Sequence, residues 1–92
     1  MAESKTPDPT PGRIVEYTLT EADAARILAE RTPFGGYGNG SHPGDVVPLI
    51  VVRGLDERHV SGQAFLDAPQ TLWIADAAEG DAPGEWHYPA KV

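Results

Sequence analysis

The chain contains no cysteine. That excludes disulfides, thiolate nucleophiles and zinc ribbons together. Secreted domains of this size usually depend on disulfides, so their absence predicts a reducing compartment, the cytoplasm. Long apolar runs are missing too. The longest, Val46 to Val52, is broken by Pro48 and is far too short to cross a bilayer. The segment Met1 to Pro7 has no apolar stretch behind its charges, so no signal peptide is expected. Positive charge is scarce as well: seven Lys and Arg face fourteen Asp and Glu, a formal charge of −7. Such a balance opposes binding to duplex nucleic acid, which rests on clustered basic side chains. The acids are spread from Glu3 to Glu85 with no run longer than Asp56-Glu57, which reads as a solvated surface and not as a mimic of DNA.

What is present fits one domain. A chain of 92 residues leaves no room for two, and its core is necessarily modest. Residues 1–11 carry Pro7, Pro9 and Pro11 among polar neighbours and predict a disordered tail, with the folded domain spanning 12–92. Arg13 to Leu19 is rich in β-branched and aromatic residues and reads as a first strand. Thr20 is a good N-cap, with Asp23 in the capping-box position. Arg31 suits the last turn and Pro33 bars continuation, so a helix is expected over Glu21–Arg31 with Ala24, Ile27 and Leu28 buried. A glycine-rich loop follows at 34–44, long enough to be functional or mobile, with Phe34 and Tyr37 expected to tuck onto the core. It lacks the Gly-Lys-Ser/Thr ending of a phosphate-cradling loop. Four further strands are expected, at Asp45–Arg53, His59–Leu66, Thr71–Ala75 and Glu85–Tyr88. Pro48 implies an edge or a bulge, and Gly62 a bend or a close backbone approach. The predicted class is α+β: a small curled antiparallel sheet or partly open five-stranded barrel, in the order β-α-β-β-β-β.

Candidates for chemistry are few. His42, His59 and His87 share no metal-ligand spacing with one another or with an acid, so neither a metal nor a cofactor is expected. Ser41, His42 and Asp45 form the one local nucleophile-base-acid trio, but on a glycine loop without a nucleophile elbow it is poorly preorganised. The sequence therefore predicts a protein that is not an enzyme. Trp, Tyr and Arg anchor interfaces because they bring large area at small entropic cost. Trp73, flanked by Leu72 and Ile74, is expected in the core. Trp86 and Tyr88 alternate onto one face with His87 opposite. Arg53 ends the strongest strand and can share their end of the sheet. The candidate binding residues are therefore Arg53, Trp86 and Tyr88, joined by His87, Gln63 and Arg31.

From Gly12 onward the order of motifs resembles a group of small proteins of tailed bacteriophages, prophages and actinobacteria. The shared stretches are Gly-x-Ile-Val-x-Tyr-x-Leu-Thr at Gly12–Thr20, Asp-Ala-x-x-Ile at Asp23–Ile27 and Gly-Asp-Val-x-Pro-x-Ile-Val-x-Arg at Gly44–Arg53. Gly-Gln-x-x-Leu-Asp at Gly62–Asp67, Trp73, and the Trp-His-aromatic-Pro ending at Gly84–Pro89 complete it. The chain departs from the group at Leu28–Arg31, at Gly54-Leu55 and at Ala68–Gln70. The resemblance implies a phage or prophage setting and no particular activity. Together these readings predict a non-enzymatic accessory protein in the host cytoplasm that binds a host or viral protein or sequesters a small molecule. The alternative is a virion or assembly component held in a symmetric homo-oligomer.

Overall fold

The computed structural model describes residues 9–31, 41–68 and 70–89. Among them are five strands and one helix: β1 (Ile14–Thr18), α1 (Glu21–Arg31), β2 (Val46–Gly54), β3 (His59–Phe65), β4 (Thr71–Glu79) and β5 (Glu85–His87). The strands close into a barrel in the order β1-β2-β3-β4-β5, with β5 returning to β1. The class is the expected α+β small barrel with one helix after the first strand, closed and not partly open. Every pair is antiparallel except β4–β5, which runs parallel with Ala78 opposite Glu85 and Glu79 opposite Trp86. No described helix is long and apolar enough to cross a membrane.

Alternation decides what enters the barrel. Val15 and Tyr17 of β1, Leu49 and Val51 of β2, Val60 and Ala64 of β3, and Leu72 and Ile74 of β4 all point inward and are buried. Bulges interrupt the register between Val51 and Arg53 and between Val60 and Gly62. They supply the local bending that lets a sheet of so few strands close on itself. Pro48 lies opposite Glu16 of β1, while the β2–β3 rungs stop at Leu49–Ala64. Its missing N–H therefore falls where β2 has run past the ladder of β3, a local edge in a barrel without edge strands.

Helix α1 starts where the sequence places it. Thr20 Oγ1 accepts the Asp23 N–H at 2.9 Å, and Asp23 Oδ2 accepts the Thr20 N–H at 3.0 Å, a reciprocal capping pair. The Tyr17 hydroxyl donates to the same carboxylate at 2.6 Å, so the helix start is tied to the barrel wall. Burial, and then this bond to Asp23, hold the Tyr17 phenol well above its usual range. Of the expected buried stripe, Ile27 is in the core and Ala24 half-buried, but Leu28 is 66% exposed. Adjacent helical residues point about 100° apart, so only one of Ile27 and Leu28 can face the barrel.

The predicted domain boundary shifts. Pro9 is already buried, its carbonyl brought close by the absence of a Cβ at Gly54, and the Gly12 N–H donates to Val51 O at 2.7 Å. Residues 9–11 thus belong to the folded unit and not to a disordered tail; the remainder of that expected tail lies outside the described residues. So do Phe34, Tyr37 and most of the glycine-rich loop. Its end, Ser41–Gly44, is described: Gly44 N donates to Leu19 O at 2.9 Å, which leads the chain into β2.

Gly62 meets the expectation of close backbone approach, since a Cβ there would collide with the Ile50 carbonyl of β2. Neither group is a flexible side chain that could swing aside. Gly62→Ala should cost about 1–3 kcal/mol of stability, read as a lower urea midpoint with an unchanged slope.

Candidate functional site

The expected binding cluster is dispersed by the barrel. Trp86 is 0% exposed, points inward opposite Tyr17 and Glu79, and donates its indole N–H to Arg58 O at 2.9 Å. It is core, because β5 is enclosed by β1 and β4 and its one inward residue must fill the barrel. Tyr88 is half-buried and meets the Trp86 ring edge-on, with ring centres 5.2 Å apart. The guanidinium over the Tyr88 ring, at 5.7 Å, belongs to Arg13 and not to Arg53. Arg53 is exposed beyond the β2 bulge, opposite Ser61. Trp86, Tyr88 and Arg13 therefore close the barrel, and Arg53 does not join them through β5, which pairs with β1 and β4.

His87 lies on the other face of β5, as alternation requires. Its Nε2 is 2.9 Å from Glu16 Oε1 across the β1–β5 seam, and Nδ1, which has no hydrogen-bond partner, is 3.5 Å from Asp81 Oδ1. Arg31 is the last residue of α1, and its side chain is outside the described set. Near Ser41 and His42, Asp45 accepts the His42 N–H at 2.9 Å, so this acid holds a turn together. Among the described residues, no three His, Asp or Glu side chains gather where they could hold a metal ion.

Gln63 is the candidate that the fold brings into a continuous surface. The register places Ile14 opposite Ile50, Ile50 opposite Gln63, and Gln63 opposite Trp73, one row across four strands. All four point outward, since their neighbours Val15, Leu49, Ala64 and Leu72 point in. Trp73 is 41% exposed, Ile14 56%, and Phe65, diagonal to Trp73 on the same face, 42%. The expectation that Trp73 is core is thus overturned. The signal that finds it is the period of two: with Leu72 and Ile74 inside, the residue between them must face out. α1 borders this face, for Arg26 Nη2 donates to the Trp73 carbonyl at 3.1 Å.

Comparison with protein-family models, with curated proteins and with solved structures gives no match. The surface itself is therefore the ground for a functional reading. Charge is segregated from it. In the two neighbouring rows that contain Ile14 and Trp73, and Glu16 and Thr71, the one ionisable side chain is Glu16, held by His87. Acids gather instead around the β2–β3 turn and the β4–β5 loop, at Asp56, Glu57, Glu79, Asp81 and Glu85. These two segments lie side by side, joined by Arg58 Nη2 to Glu79 O at 3.2 Å and Glu79 N to Arg58 O at 2.9 Å.

Within that turn Asp56 Oδ1 accepts the N–H groups of Arg58 and His59, each at 2.8 Å, and lies 2.9 Å from His59 Nδ1. The Arg58 N–H first, then the His59 ring, hold the Asp56 carboxyl at about 2. Its folded value lies below the unfolded one, so its contribution is complete above the ordinary carboxylate range and is lost as pH falls through about 2. The gap in melting temperature between the wild type and Asp56→Ala should therefore shrink between about pH 4 and about pH 2, as followed by thermal denaturation.

Proposed function

We propose that the chain is a non-enzymatic binding module of the cytoplasm, a phage-type accessory protein, that docks a host or viral protein on the outer side of β3 and β4, around Trp73. The exposure of Trp73 beside Phe65, on neighbouring strands with Gln63 directly opposite Trp73, carries this reading. Apolar side chains scattered singly on a surface need no explanation, but a continuous face of them marks an interaction site. Trp is also the residue most enriched where interface energy concentrates. The face is convex and open, which favours a macromolecular partner over a sequestered small molecule.

Two tryptophans divide stability from binding. Truncating Trp86 removes the barrel's largest fully buried side chain and should cost about 3–5 kcal/mol. Trp73→Ala should leave the melting temperature within about 3 °C of the wild type while abolishing co-purification of partners from infected-host lysate. A Trp73→Ala variant that folds and captures the same proteins as the wild type would refute the docking face.

A further inference from the structure

We infer that His87 is a proton-operated latch on the β1–β5 seam: when it takes up a proton, its ring ties β1 to the β4–β5 loop across the closing strand. The ring lies outside the barrel between two carboxylates. Nε2 is 2.9 Å from Glu16 Oε1, so this nitrogen carries the hydrogen that the carboxylate accepts. In the neutral imidazole the other nitrogen is then bare. Nδ1 is buried, has no hydrogen-bond partner, and faces Asp81 Oδ1 at 3.5 Å. Two acceptors confront each other there with no hydrogen between them. A second proton turns Nδ1 into a donor, and the Asp81 side chain, 92% exposed on its loop, has the room to close the remaining distance. β5 is the strand that closes the barrel, so the latch makes closure itself respond to pH.

The described charges set against the ring are negative. β1 contributes Glu16; Ile14 and Thr18, two residues to either side of it, carry no charge, and Tyr17 points inward to Asp23. The end of β4 aligns Glu79 with Trp86, and Gly80, which follows, has no side chain. The loop contributes Asp81. Within β5, Glu85 is on the same side as His87, with its Oε1 accepting the Ala82 N–H at 3.0 Å. The guanidinium groups of the adjoining segments are engaged elsewhere, Arg13 over the Tyr88 ring and Arg58 at the Glu79 carbonyl. In the unfolded chain the same proton on His87 meets only water. The latch therefore adds to stability as pH falls through the ordinary imidazole value of about 6.5, and it needs both acids ionised, above about pH 4.

Thermal denaturation of the full chain at about pH 5.5 and about pH 8 tests the latch, beside His87→Gln and Asp81→Asn. The first substitution keeps an N–H for Glu16 but cannot take up a proton. The second offers the bare Nδ1 of the neutral ring an N–H that the carboxylate could not. His42 and His59 are present in all three proteins, so their own titration cancels in the differences. The wild type should exceed His87→Gln in melting temperature by about 3 °C more at the lower pH than at the higher. Asp81→Asn should gain on the wild type at the higher pH and fall behind at the lower, a change of similar size that shrinks in about 0.5 M salt. A gap from the wild type that stays constant between the two pH values, in either folded variant, marks a merely structural pair and overturns the latch. If His87→Gln does not fold, Asp81→Asn decides alone.

Discussion

The burial of Trp86 is the contact on which the rest of the molecule depends. β5 is only three residues long, yet it is the strand that joins β1 to β4 and turns a sheet into a barrel. So short a segment cannot hold its place by backbone rungs alone, two of which face each neighbour. A fully enclosed indole supplies the apolar area, and its N–H satisfies the Arg58 carbonyl of the β2–β3 turn. Tyr88 braces the ring from the barrel mouth, with Arg13 over it, and the His87–Glu16 pair fastens the same seam from outside. Inside and outside of one three-residue strand are thus used for closure.

A second fastening acts where β1 leaves the barrel. The Asp23 carboxylate is nearly buried and receives the Tyr17 hydroxyl and the Thr20 N–H at the positive end of α1. A buried acid left without donors would destabilise the fold. With two donors and a helix terminus it fixes the angle at which the chain enters the helix. Ile27 is thereby set into the barrel, and the Gln70 amide reaches its carbonyl at 3.1 Å.

Much of this was legible from local chemistry. Thr20 and Asp23 announce the helix start, Pro33 its end, and β-branched clusters the strands, since caps, breakers and alternation act over a few residues. The two tryptophans show where local reading goes wrong. Leu72-Trp73-Ile74 looks like a core run and Glu85-Trp86-His87 like a surface, when judged by the polarity of the neighbours. Alternation gives the opposite answer in both cases, and the barrel obeys alternation. Closure, the parallel pairing of β4 with β5, and the meeting of Tyr88 with Arg13 instead of Arg53 were not legible. Closure and the Tyr88–Arg13 contact join segments far apart in sequence, and no short motif encodes which strand lies beside which or in which direction a three-residue strand runs.

The His87–Glu16 rung spans 71 positions, nearly the whole described chain. Loop-closure entropy makes such a contact late, because nothing rewards it until the intervening strands are in place. β1 through β4 form a meander that can assemble in order as a polypeptide leaves the ribosome, with β1 and β4 as its two free edges. The barrel, by contrast, cannot close until β5 has emerged from the exit tunnel. Until then two strand edges stand exposed, and the nascent chain is at its most vulnerable to pairing with the wrong neighbour.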